Sequence, residues 1–127
     1  MNYDFIRNYM RCEFQHGAYG PNDFDCYGLV WHVNKHHNNL DLPRFDDIGY
    51  QMERINNAIT GQTSGDDWLE VQTPEDFDVV VLRRAGEAYH VGVWLNVDGG
   101  KVLHAMEKGV YCHDVPALKR NHFQHIT

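Results

Sequence analysis

Basic residues are scarce in this chain. Eleven Lys and Arg stand against eighteen Asp and Glu, a formal net charge of −7. A protein that neutralises nucleic-acid phosphates carries clustered Lys and Arg, so nucleic-acid binding is excluded as a main task. No apolar run approaches the roughly 18 residues that would read as a membrane span. The opening Met1-Asn2-Tyr3-Asp4-Phe5 lacks the basic and apolar regions of a signal peptide, so none is expected. Cysteine is sparse too: Cys12, Cys26 and Cys112 form no CxxC pair and no disulfide framework. Reduced thiols are expected, each to be judged singly. Internal repeats and low-complexity linkers are absent.

What is present is enough for one core. The 127 residues are 43% hydrophobic, with seven Tyr, six Phe and three Trp, which excludes a disordered chain. A single domain over residues 1–127 is expected. Phe5, Ile6 and Tyr9 predict a short helix within residues 2–11. Turn formers occupy residues 17–23, and Asp23 or Asp25 then caps a helix over about 26–38 with Leu29, Val30 and Val33 inward. A third helix is expected from Asp46 and Asp47 to about Gly61, and a short edge segment at residues 68–71.

The second half changes character. Strands are predicted over residues 78–83, 90–95 and 101–106, with turns at residues 85–87 and at Asp98-Gly99-Gly100. A last strand is expected over residues 110–115. Helices first and an antiparallel meander after them make the class α+β.

Three residues carry the candidate chemistry. Cys26 falls in the first turn of the second helix, where unpaired N–H groups and the helix dipole favour an anion. That position predicts a lowered thiol pKa. Gly28, two residues on, allows another element to come close. His90 opens a strand, and the unperturbed pKa of a histidine suits a general base. His104 lies on the strand joined to it by the Asp98-Gly99-Gly100 turn, which brings the two imidazoles together. A nucleophile, a base and an orienting group follow the general triad logic.

These residues stand in a recognisable pattern. Phe24-Asp25-Cys26-Tyr27-Gly28-Leu29-Val30 resembles the Asp-Cys-(Ser or Trp)-Gly-Leu-Val signature of the NlpC/p60 cysteine peptidases. Residues 76–82 are similar to that family's Gly-Asp-Val strand, residues 90–95 to its His-Val-Gly strand and residues 102–105 to its Ile-His-Ala strand. The stretch Gly20-Pro21-Asn22-Asp23-Phe24-Asp25-Cys26, with Leu42-Pro43 beyond it, resembles the tail-assembly subgroup of tailed bacteriophages. The resemblance implies a papain-like fold, N-terminal helices packed on a central antiparallel sheet, and a Cys26-His90-His104 triad. It implies hydrolysis of peptidoglycan stem peptides without a cofactor. Other phage tail proteins are the implied partners. The implied location is the bacterial cytoplasm during assembly, then the virion tail acting in the periplasm or cell wall.

Two departures bear on the site. The family commonly has a Tyr about twelve residues before the Cys; here Phe14 stands there without a hydroxyl. More of the oxyanion task then falls on the Cys26 N–H, with Tyr19 or His16 as a helper. Tyr27 stands where Ser is common, which places Asp25 and Tyr27 among the residues shaping the acyl-donor pocket. Three rival readings remain at this point. His32 and His36 at i, i+4 offer two metal ligands, with Asp41 a weak third, but no Glu follows His32 as in HExxH; no metal is expected. A scaffold of the same fold without chemistry and a cysteine acyltransferase or amidase are the other two.

Overall fold

A computed structural model describes residues 2–42, 72–83, 90–121, 123 and 125–126. The chain order is α1 (Phe5–Met10), β1 (Glu13–Phe14), β2 (Asp23–Phe24), α2 (Cys26–His37), β3 (Val79–Arg83), β4 (His90–Leu95), β5 (Lys101–Met106), β6 (Gly109–His113), α3 (Val115–Arg120) and β7 (His125–Ile126). The expected third helix, the segment at 68–71 and the turn at 85–87 lie outside the described residues.

The main sheet has the strand order β6-β5-β4-β3-β7, with every pairing antiparallel. Strands β3 to β6 form the expected meander, so the fold is α+β. The β4–β5 hairpin turns at Asp98 and Gly99, which both hold positive φ. Asp and Gly tolerate that region, as primed hairpin turns require.

Alternation along the strands sorts side chains to two faces. Val81, Val91, Val93, Leu95, Leu103 and Ala105 pack in one core with Tyr27, Leu29, Val30 and Val33 of α2. On the other face, Val80, Leu82 and Val102 pack with Leu118 of α3 and with Phe123. The sheet is therefore covered on both sides. This explains why its strands read as nearly continuous apolar runs.

The expected last strand over 110–115 is corrected at its end. Pairing stops at His113, because Asp114 caps a new helix, its carboxylate accepting from the Ala117 N–H at 2.8 Å. Pro116 stands in the first turn of that helix, where its missing N–H costs nothing. Strand β7 adds an edge next to β3, with Leu82 opposite Ile126.

Candidate active site

Cys26 is the first residue of α2. Asp25 is the cap: one carboxylate oxygen accepts from Gly28 N–H at 3.0 Å, the other from Gly17 N–H at 2.9 Å. One side chain thus ties the helix start to the turn at residues 17–18. The Asp25 N–H in turn donates to the Ala18 carbonyl at 3.0 Å. That turn crosses the helix so closely that a Cβ at Gly28 would collide with the Ala18 carbonyl oxygen. Gly28 is therefore required by close approach of backbone, as its place after the cysteine suggested.

The other side of the site is β4. Trp94 exchanges backbone hydrogen bonds with Phe77 and Asp78, at the β3 side. In an antiparallel sheet the N–H and C=O of one residue point the same way, and successive residues alternate. His90, Gly92 and Trp94 thus bond toward β3, and Val91, Val93 and Leu95 toward β5. The β4–β5 pairing runs only from Leu95–Lys101 to Val93–Leu103. Beyond that pairing, the Val91 N–H donates to the Cys26 sulfur. The start of α2 thus meets the sheet one residue from His90.

His90 and His104 are joined by a hydrogen bond of 3.0 Å between His90 Nε2 and His104 Nδ1. Gly92 makes this reach open. It lies between the two on the same face, and a Cβ there would sit 3.0 Å from His104 Cβ and 2.6 Å from Val102 Cγ1. Phe123 closes the outer side, its ring stacked on His90 at 5.7 Å and edge-on to His104 at 5.9 Å. His104 is fully buried and His90 only partly.

Burial reverses one expectation. The helix position predicts a lowered thiol, but desolvation pushes the Cys26 thiol up to about 11, and the Asp25 carboxylate adds to the rise. The N–H groups of Val91, Tyr27 and Cys26 pull it back only in part. The resting sulfur is therefore a protonated thiol, and a thiolate must be made by handing its proton to a base. His90 Nε2 is engaged by His104, and Nδ1 is its other ring nitrogen.

The other predicted residues lie at varied distances from this chemistry. Tyr27 is fully buried in the core beneath α2, its ring edge-on to Tyr19 at 6.3 Å. So buried, it offers no surface to a substrate. Tyr19 is partly exposed and packs perpendicular to Trp31 at 5.3 Å. His16 is exposed, with its ring edge-on to Phe14 at 5.1 Å. On the far flank of α2, His32 Nδ1 is hydrogen-bonded to the Tyr9 hydroxyl at 2.7 Å, and its ring lies tilted against His36 at 4.2 Å. Among the described residues, no group of three His, Cys, Asp or Glu is arranged to hold a metal ion, and no helix is long and apolar enough to cross a membrane.

One residue was missed from sequence. His113 Nδ1 lies 3.0 Å from His104 Nε2, so three imidazoles run in line. The signal was available in the register: β6 pairs back on β5 with Tyr111 opposite His104 and His113 opposite Val102. That puts His113 on the His104 face.

A search of curated proteins returns no match. The model of the NlpC/P60 family matches residues 11–125. This span holds the capped cysteine helix, the four-stranded meander and all three aligned histidines, and the chain belongs to the NlpC/P60 family.

Proposed function

We propose that the chain is a cysteine peptidase that cleaves peptidoglycan stem peptides, with Cys26 as nucleophile, His90 as general base and His104 as the group that orients His90. Membership of the family supports cell-wall peptidase activity. The observation that carries the residue roles is the joint placement of the Cys26 sulfur on the Val91 N–H and of His90 on His104.

The Cys26 thiol gives its proton to His90 Nδ1 as the sulfur attacks the peptide carbonyl carbon. The resulting imidazolium keeps an Nε2–H that donates to His104, a bond that strengthens as charge forms. The tetrahedral adduct collapses, the C–N bond breaks, and the leaving amine takes the proton from His90. Water then enters, gives its proton to His90, and hydrolyses the thioester, restoring the thiol. The Cys26 backbone N–H, unpaired within its own helix turn, is the oxyanion donor that Phe14 cannot supplement. Asp25 and Tyr27 act by position, one fixing the turn at residues 17–18 and the other supporting α2.

The finer setting follows the motif at residues 20–29 and Leu42-Pro43: a bacteriophage tail protein, made in the bacterial cytoplasm, carried in the virion and acting at the cell wall. A second reading has its own support. Phe14 in place of a hydroxyl donor and a thiol raised to about 11 also suit a tail scaffold whose chemistry is slow or lapsed. Purified muropeptides separate the two. Amine release by the wild type and none by a folded Cys26→Ala variant is expected; no release by either favours the scaffold, and equal release by both refutes the role of Cys26.

A further inference from the structure

Resting on the base role given to His90, we propose that His113 is a positioning residue: it sets the direction of the hydrogen bonds through His104 and thereby decides whether His90 can accept a proton. The geometry is the line His90 Nε2 to His104 Nδ1 at 3.0 Å and His104 Nε2 to His113 Nδ1 at 3.0 Å.

A neutral imidazole has one N–H and one lone pair. His104 is fully buried, so its donor and its acceptor must both be matched within the protein. Two arrangements are consistent with the distances. In one, His104 carries its proton on Nε2 and donates to His113 Nδ1. His104 Nδ1 then accepts from the His90 Nε2–H, and His90 Nδ1 is left with its lone pair for the Cys26 proton. In the other, His104 carries its proton on Nδ1 and donates to His90 Nε2. His90 must then be protonated on Nδ1, and it has no lone pair to offer the thiol. The two states contain the same bonds at the same lengths and differ only in direction.

His113 selects between them. With a lone pair on Nδ1 it accepts from His104 and makes His90 a base. Protonated on Nδ1, as a neutral ring or as the cation, it can only donate to His104, and it turns the line round. Its setting disfavours the cation: burial pushes its pKa down, against the Asp114 carboxylate, and Arg120 adds to the lowering. Tyr111 stacks on its ring at 5.3 Å and holds it in the plane that meets His104. The direction that makes His90 a base also suits the later charge. An imidazolium at His90 needs an acceptor at Nε2, and His104 Nδ1 already is one.

Nitrogen-15 NMR of the imidazoles in the whole chain at neutral pH tests this directly. The expected result is a proton on Nε2 of His90, His104 and His113 alike. A His104 proton on Nδ1 in the wild type would overturn the proposal, whatever the activity. Two variants add a second readout, the rate at which iodoacetamide alkylates Cys26. His113→Phe removes the acceptor, and the His104 proton should move to Nδ1 with alkylation slowed by about tenfold or more; a wholly wrong tautomer costs about 10⁴ in the Ser-His-Asp triad. His113→Asn keeps an acceptor oxygen near the Nδ1 place and should recover most of the rate. A folded His113→Phe with unchanged tautomer and unchanged rate would also overturn it. If His113→Phe does not fold, the wild-type spectrum decides alone. If the wild type hydrolyses no muropeptide but shows the three Nε2 protons, the peptidase reading fails and the directed line stands.

Discussion

At the scale of single residues, the site is a contest between burial and hydrogen bonding. Cys26 sits where a helix dipole favours a thiolate, yet desolvation holds the thiol at about 11. The sulfur therefore depends on its base. In a His90→Ala variant the thiol titrates alone, and alkylation should rise about tenfold for each pH unit between roughly 7 and 10, as the thiolate fraction does below its pKa. The wild type should be faster at neutral pH and flatter above it. Identical profiles would remove His90 from the proton transfer. His104 is tested by a different pattern. His104→Ala leaves His90 and His113 without their shared partner, and should lower kcat strongly while KM stays near that of the wild type. His104→Asn should restore part of kcat. A folded His104→Ala with normal kcat would take His104 out of the site. The cysteine, its cap and the first two histidines were legible in the sequence, because cap chemistry and hairpin register are local. The pKa direction was not, because the burial of a sulfur is set by β4, whose residues are more than sixty positions away.

At the scale of elements, two glycines govern how closely backbone can approach. Gly28→Ala would drive a methyl group into the Ala18 carbonyl. It should lower stability by about 1–3 kcal/mol, the usual cost of overpacking, and lower activity further by pushing the turn off the start of α2. Thermal melting alongside muropeptide turnover checks both, and an unchanged melting curve would refute the close contact. Loss of the Asp25 cap in Asp25→Ala should cost about 1 kcal/mol for the helix alone, and more through Gly17. Strands β4 and β5 were read with their observed ends, since alternation and the Asp98-Gly99 turn mark them. Helix α3 was not read: the last strand was carried on to Val115 because the Asp114 cap was overlooked. Strand β7 was missed because two residues carry no periodicity; its pairing with β3 is a tertiary event.

At the scale of the whole molecule, the histidines on the far side of α2 govern acid stability. Burial, then the neighbouring His36 and His37, hold His32 at about 4, below its ordinary 6.5. Above 6.5 the ring is neutral in both folded and unfolded chains, and its contribution is fully present. As pH falls from 6.5 through 4, the unfolded chain binds a proton that the folded chain resists, so stability declines. His37, lowered by burial and by His36, acts in the same sense. His32→Gln should flatten the decline of melting temperature over that window; an unchanged slope would place the acid sensitivity elsewhere. The net charge of −7 set an expectation about partners, but it did not reveal how the His cluster is packed.

The central claim is that Cys26 reacts because His90 takes its proton. Site-resolved iodoacetamide labelling at neutral pH, read by mass spectrometry at Cys12, Cys26 and Cys112 in the wild type and in His90→Ala, tests it most directly. The fastest labelling is expected at Cys26 in the wild type, with a loss of about a hundredfold at Cys26 in His90→Ala, the lower end of what general-base catalysis contributes, and no change at the other two. Equal labelling of all three cysteines, or an unchanged Cys26 rate in folded His90→Ala, would contradict it.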